Sequence, residues 1–499
     1  MGPQQLPGAC IMPYDNLPDF IAHLQDDGEL RRISLEVDPH LEVTEIVDRV
    51  CKQPGGGPAL MFERVRGCPL PLVVNLLGHQ RRIHRALGVK SWDELHERLA
   101  GSVRPETPES WFQKLKNVGN SAVNSPWKPV TVKTGLCQQV VKVGRDIDLR
   151  ELPALQAWPD DAGRFLHGGV VLSKHPQTGE RYVESIPFQI LDRSSLGVHW
   201  HPHHAAFQLL HEHHRLGSHL PLAVAFGGDP TWQFLTKAPL PPQTDPLAFG
   251  GCVRGKALEV VRGRQVDLEI PAGAEIVLEG YIDAQEPLTR GGSYGQHTGS
   301  YSAPVDVPVF HITTLTHRGN PVLVQNVPGR PPMEDTALLQ MYSKLALPLL
   351  RLTIPELVDI RLLQETANDQ ICLVSVHKTY AQQVRKVLHA LWGHQLTMFS
   401  KLIVVVDADI ALDNWNDVWF NVAGNLHPTR DVILGEGPSS PADHATPVSG
   451  IGSKLGLDAT RKLPSEGFSR TWPAPTLMTQ SIHDLVSLRW NEYQIDRPR

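Results

Sequence analysis

The spacing of apolar residues changes twice along this 499-residue chain, and each change marks a different kind of local structure. In the first hundred residues helical and strand spacings alternate. Asn16 reads as the N-cap of a helix whose apolar residues Leu17, Phe20, Ile21 and Leu24 fall at i, i+3, i+4 and i+7. Arg31–Val37 reads as a strand, and Val43, Ile46, Val47 and Val50 mark a second helix ended by Pro54 and three glycines. Two short apolar runs follow, Ala59–Phe62 and Pro71–Leu77. From about 125 to 330, β-branched runs recur between Gly, Pro, Asp and Asn: Val140–Val143, Gly169–Ser173, Leu222–Phe226, Leu258–Val261, Glu275–Ile282, Val309–Thr314 and Val322–Val327. Short strands at that spacing predict a β-barrel or sandwich.

From about 335 the helical period returns. Ile371–Val376 reads as a strand, Ala381 to Trp392 as a helix face, and Leu402–Val406 as a buried parallel strand. A helix over Trp415–Val422 and a strand at Val432–Leu434 complete a β-α-β-α-β order, which predicts a parallel sheet with right-handed crossovers. The tail, with Leu477, Ile482, Leu485, Val486 and Trp490, suits a helix that docks at a subunit or domain contact. The expected architecture is multi-domain α/β, with an N-terminal α/β segment at 1–120, a β domain at 121–332 and a C-terminal α/β domain at 333–499.

Apolar residues make up 41% of the chain and charged residues 20%, enough for packed cores. Forty-seven Lys and Arg against 53 Asp and Glu leave a net charge of −6, so neither nucleic acid nor an anionic membrane is an expected partner. No apolar run approaches the roughly 18 residues of a membrane helix. The N-terminal stretch has no basic and apolar regions of a secretory signal, and Leu6 breaks the myristoylation pattern. Six scattered cysteines without a CxxC pair read as reduced thiols, and a cytoplasmic location is expected.

Five stretches carry chemistry. Asp407 and Asp409 follow a parallel strand, where acids hold ribose or metal or simply cap a turn. His199, His201, His203 and His204, with His211, His213 and His214, offer imidazoles either to a metal or to a polar loop. Gly227 and Gly228 in Gly-Gly-Asp-Pro follow an apolar strand, so their N–H groups face a phosphate or close a tight turn. The Gly291–Gly299 loop lacks the Gly-Lys-Ser/Thr ending of an NTP cradle. Ser449–Lys454 reads as a flexible, donor-rich loop with one cation.

Seven phrases together resemble the UbiD-type decarboxylases, in the order that family has them. They are Gly28-Glu-Leu-Arg-Arg-Ile33, Val37-Asp-Pro-His-Leu-Glu-Val-Thr-Glu-Ile46, Trp158-Pro-Asp-Asp-Ala162, Pro271-Ala-Gly-Ala-Glu-Ile-Val-Leu-Glu-Gly-Tyr281, Gly329-Arg-Pro-Pro332, Asn414-Trp-Asn-Asp-Val418 and Pro447-Val-Ser-Gly-Ile-Gly-Ser-Lys-Leu-Gly-Leu-Asp-Ala-Thr460. The resemblance implies a central split β-barrel that binds flavin and a C-terminal domain used for oligomerisation. It also implies prenylated FMN as electron sink, with Mn²⁺ and K⁺ at its phosphate, a flavin prenyltransferase to mature it, and an aromatic or unsaturated acid as substrate. The implied assembly is a homo-oligomer, either a dimer or a hexamer of dimers.

The resemblance implies an Arg that grips the substrate carboxylate, one Glu that protonates the carbon and a second Glu that ties the two together. At the matching positions this chain has Pro187 for the Arg, and Gly291 and Gln296 for the acids. The metal-ligating Asn and Glu fall on Tyr182 and Pro246, while His203 matches the metal His and Asp245 stands one residue from Pro246. Lys454 matches a phosphate-side lysine. The candidates for acid or orienting roles are therefore Glu184, Tyr294, Gln296, His297 and Glu334. Tyr182, Gly227, Gly228 and Lys454 stand toward the cofactor, and His203 and Asp245 toward a metal. Two functions follow: a decarboxylase or carboxylase with a rebuilt site, or a non-catalytic or repurposed paralogue serving as ligand-binding or partner subunit. A redox or group-transfer reaction at the flavin is a third use of the same scaffold.

Overall fold

The structure is a computed structural model that describes residues 14, 16–103, 127–241, 244–363, 366, 370–474 and 476–495. The readings placed on residues 1–13 and the boundary at 120 fall outside the described residues.

In the N-terminal part, the helix Leu17–Asp26 begins where the Asn16 side chain accepts the N–H of Asp19 at 3.1 Å. It buries Leu17, Phe20, Ile21 and Leu24, the four residues its period selects. The strand Leu30–Val37 runs parallel to Ala59–Val65, which pairs antiparallel with Leu72–Val74. The fourth strand of this sheet is Leu323–Val324, parallel to Leu72–Val74. The run read from sequence as part of the central β region thus completes the N-terminal sheet. A two-residue pairing carries no periodicity that could have assigned it.

The central part holds a nine-stranded antiparallel sheet. Its longest members are His219–Phe226, Ile276–Asp283 and Val309–His317, and its outer strands include Phe165–Leu166, Phe188–Ile190 and Ser195–Val198. A smaller sheet joins Glu259–Arg262 to Glu269–Pro271 and Val130–Thr131. One apolar core spans the first and second sheets, from Val43 and Phe62 to Phe188, Phe226 and Phe310, so the two parts are fused rather than tethered.

The 20-residue helix Glu334–Thr353 leads into the C-terminal sheet. There Ile371–Val376, Leu402–Asp407 and Ile451–Asp458 are parallel neighbours, as alternation predicts. Two corrections follow. Val432–Pro438 is an antiparallel edge strand, paired only with Ile451–Asp458. The segment read as the loop Ser449–Lys454 is strand from Ile451 onward, and its Gly and Ser residues hid the alternation that buries Lys454, Gly456 being pressed against Leu388. The tail helix Gln480–Arg489 buries none of its residues, only Val486 being partly covered.

Candidate active site

Strand pairing at one end of the nine-stranded sheet assembles the site. Gln189 stands opposite Phe165 on one side and Gly197 on the other, so His167 and His199, each just past a neighbouring strand, arrive at the same edge. Phe165 and Tyr294 lie against both imidazoles: the Phe165 ring is 5.3 Å from His199 and 5.9 Å from His167, and the Tyr294 ring 5.2 Å and 5.8 Å. The chain then turns through His201, His203 and His204, whose rings lie 4.5–6.0 Å apart, into the helix Ala205–Leu216. Phe399 from the C-terminal part packs edge-on against His203 at 4.8 Å.

The Gly291–Gly299 loop is held onto this edge. Asp161 accepts the N–H of Gly295 at 2.7 Å and that of Trp158 at 2.8 Å, and the Trp158 indole N–H reaches the Pro328 carbonyl at 2.8 Å. Gln189 donates to the Ala162 carbonyl and accepts the N–H of Gly292, both at 2.9 Å. That orientation leaves its Oε1 as the group facing His199 Nε2 at 3.3 Å, so Nε2 carries the proton. A side chain could not be added at Gly291, because its Cβ would stand 2.9 Å from the Val305 carbonyl oxygen and 3.0 Å from His199 Cε1. Tyr294 is buried, and the Gln296 amide donates to its hydroxyl at 3.4 Å.

Electrically the site is quiet. Burial pushes His167 down to about 3 and His199 to about 4. Burial, neighbouring imidazoles and the Lys237 ammonium put His203 near 4 and His204 near 3. His201 is lowered by burial and by the His297 imidazole. His204 Nδ1 accepts the N–H of His201 at 2.9 Å, a role only its unprotonated nitrogen can fill. These side chains are neutral at pH 7 and give a carboxylate no cationic clamp.

The sequence-predicted residues divide. Tyr294, Gln296, His297 and His203 come together around the imidazole cluster. Lys454 lies in the other part, where its buried ammonium donates to the Met398 carbonyl at 2.6 Å. Glu184 spends both oxygens on the N–H groups of Ala205 and Ala206, at 2.8 and 2.9 Å, and burial raises its carboxyl above the usual range. It anchors the helix that follows the histidines. Tyr182 donates to Glu180 at 3.1 Å, and burial pushes its phenol up to about 12. Asp245 caps the helix Pro246–Arg254 and pairs with Arg181 at 2.9 Å.

Among the described residues no three His, Cys, Asp or Glu side chains are arranged to hold a metal ion. Gly227 and Gly228, with φ of +69° and +97°, form a tight turn at a cleft lined also by Glu334 and by Gly168, the residue after His167. At the ends of the parallel strands Asp407 and Asp409 are tied to Arg461. Sequence reasoning missed Gln189, His167, Asp161 and Lys237, of which only Asp161 sat inside a quoted phrase.

Profiles of the 3-octaprenyl-4-hydroxybenzoate carboxy-lyase (UbiD) family match the chain in three parts. The N-terminal domain matches residues 21–100, the Rift-related domain 128–331 and the C-terminal domain 336–459. Uncharacterized proteins of Aquifex aeolicus and Archaeoglobus fulgidus are 39% and 38% identical over 97% and 96% of this chain, and 99% of each of theirs. The closed form of vanillic acid decarboxylase from Sedimentibacter hydroxybenzoicus shares the fold, with a TM-score of 0.84 at 24% identity over 97% of this chain and 99% of that one. The UbiD-class enzyme HmfF from Pelotomaculum thermopropionicum, solved in complex with FMN, has a TM-score of 0.75 at 26% identity over 93% and 99% of the two chains. An evolved dimeric form of HmfF in complex with prFMN has a TM-score of 0.74 at 26% identity over 94% and 100%.

Proposed function

The chain belongs to the UbiD family of carboxy-lyases, and we propose that it is a flavin-dependent decarboxylase or carboxylase of an aromatic or unsaturated acid whose proton-transfer set is built on imidazole. The observation that carries this reading is the pinned 291–299 loop, which lays Tyr294 against His199, with Gln296 on the Tyr294 hydroxyl and His297 next in the chain. FMN and prFMN in HmfF support a flavin. The residues present fit one: flat imidazole and phenol faces offer stacking surface, and Lys454 is a buried cation for a phosphate.

A prenylated flavin, when bound, supplies the electron sink for the carbanion left by carbon dioxide. His297, half-buried and beside His201, delivers the proton to that carbon. Tyr294 and Gln296 orient the ring, and the neutral imidazoles keep the pocket free of competing charge. Lys237, an exposed residue whose charge lowers His203 and His204 and whose ammonium stands 6.0 Å from the Tyr342 ring, is assigned to the substrate carboxylate in place of an arginine.

Manganese does not fit. Asp245 is committed to Arg181 and its helix, Tyr182 to Glu180, and His203 is left without carboxylate company. Neither manganese nor a phosphate-side potassium enters any step. In this reading the chain keeps the three-part division at 120 and 332, a split-barrel flavin domain, maturation by a flavin prenyltransferase, a cytoplasmic location and a homo-oligomeric assembly.

The test is expression beside a flavin prenyltransferase, followed by flavin absorbance and carbon dioxide release from a panel of aromatic and α,β-unsaturated acids. The expected result is a bound flavin and turnover, with His297→Gln retaining the flavin and losing at least roughly 100-fold in kcat. Bound flavin with no release from any acid would replace this reading with the repurposed-paralogue one.

A further inference from the structure

The short strand Arg181–Glu184 makes two commitments that settle what the acids around it can do. At its start the whole Arg181 guanidinium is in use. Nη1 donates to Asp245 Oδ2 at 2.9 Å, Nη2 to Glu269 Oε1 at 3.0 Å and Nε to Glu269 Oε2 at 3.2 Å. At its end Glu184 holds the first N–H groups of the helix that follows the histidines.

Both oxygens of Asp245 are taken. Oδ1 accepts the Leu247 N–H at 3.1 Å and so caps the helix Pro246–Arg254, while Oδ2 meets the guanidinium. The Asp245 side chain is 11% exposed against 32% for Arg181, so the carboxylate is the more enclosed partner and depends on that cation for its charge balance. Glu269 meets Arg181 as a fork, one oxygen to each of two nitrogens. One guanidinium therefore joins three segments far apart in the chain: the strand at 181–184, the helix start at 245–247 and the strand at 269–271.

More positive charge is fixed close by. Lys174 stands opposite Arg181 in the strand pairing and donates to Asp267 at 3.3 Å. The Lys237 charge acts on His203 and His204. A hard divalent cation takes several oxygen ligands, and Asp245, Glu269 and Glu184 have each spent theirs on donors already present. An entering dication would have to displace a guanidinium held by three hydrogen bonds and then stand against Lys174.

We propose that Arg181 is a resident counter-cation, standing beside the position that the resemblance gives to a metal-ligating Glu, and that it makes the fold and any flavin bound to it independent of divalent ions. Arg181 is a positioning residue: it fixes Asp245, and through Asp245 the helix Pro246–Arg254, and touches no reacting atom. The statement about the flavin rests on the flavin-dependent reading above; the statement about the ion stands without it.

The test is Mn²⁺ titration of the full-length protein, read by electron paramagnetic resonance of the free ion, together with melts in Mn²⁺, Mg²⁺ and EDTA at equal ionic strength. The parent should leave the added Mn²⁺ free and melt at one temperature in all three. Arg181→Gln leaves Asp245 and Glu269 without the guanidinium that both contacted within 3.0 Å. It should melt roughly 3–6 °C lower in EDTA, recover part of that loss in Mn²⁺, and bind Mn²⁺ at least about 10-fold more tightly than the parent. Arg181→Lys keeps the charge and should stay as indifferent to Mn²⁺ as the parent, which a merely structural loss would not produce. One equivalent of Mn²⁺ held by the parent and lost in Asp245→Asn would overturn the proposal. So would an Arg181→Gln protein with parent melting and no gain in Mn²⁺ binding. If Arg181→Gln does not fold, the parent titration and Arg181→Lys decide. A parent that ignores Mn²⁺ and also takes up no flavin would contradict the flavin reading and leave Arg181 in this role.

Discussion

At Gly291 the missing side chain is a matter of volume as well as chemistry. The space beyond its Cα belongs to the Val305 carbonyl and to His199, and the imidazole is locked by Gln189, which also holds the next residue of the loop. Restoring an acid there should therefore fail. Gly291→Glu is expected to displace His199 and lower Tm by several degrees, with no gain in carbon dioxide release; a more active and equally stable variant would show that the loop has room.

The same burial has a pH consequence. His167 and His199 titrate near 3 and 4 when folded and near 6.5 when unfolded, so above pH 6.5 both states are neutral and stability is complete. As pH falls from 6.5 toward 4, the unfolded chain takes up protons that the folded chain refuses. Each imidazole then costs up to about 1.4 kcal/mol per pH unit. Urea midpoints at pH 7.5, 6.0 and 5.0 should fall in that order, and His167→Asn should flatten the slope; an unchanged slope in that variant would contradict the assignment. These residues differ in how far sequence revealed them. Gly291, Gln296 and His203 were legible because they sit inside recognisable phrases. Gln189 and His167 were not, because each comes from a different strand and only the sheet's pairing brings them together.

Among elements, the helix Ala205–Leu216 shows how a catalytic reading and a structural one compete for a carboxylate. Glu184 accepts the first two N–H groups of that helix, and so sets where His203 and His204 lie relative to the loop. Glu184→Gln loses the charge and keeps one acceptor oxygen for these two N–H groups, and Glu184→Ala keeps none. The expected costs are about 1 and about 2 kcal/mol in denaturant melts. A stable Glu184→Ala protein that had lost turnover alone would instead place Glu184 in the chemistry.

Helix and strand periods located most elements well: the first helix buries the four residues its spacing selects, and Leu402–Asp407 is a parallel strand. The failures have a common physical source. In Ile451–Asp458 the glycines leave gaps in the side-chain alternation, and in Leu323–Val324 the element is too short to show one. Both are defined by partners distant in sequence, Leu402–Asp407 and Leu72–Val74.

For the whole molecule, the tail is the part its own chain leaves uncovered. Leu477 and Leu488 are more than 80% exposed, and a ten-residue helix is too short to be stable in water by itself. A homo-oligomer in which this tail packs on another copy would bury it. Leu488→Glu is therefore expected to lower the mass measured by light scattering at micromolar concentration without changing the melt of the remaining fold; an unchanged mass would exclude the tail from the contact.

The central claim is that a carboxy-lyase scaffold here moves its proton through His297 on a loop pinned to neutral imidazoles. Single-turnover carbon dioxide release by the flavin-loaded protein, compared with His297→Gln at equal flavin occupancy across pH 5–8, tests it most directly. The account predicts turnover in the parent that is lost in the variant at every pH. Equal release from both proteins would contradict it.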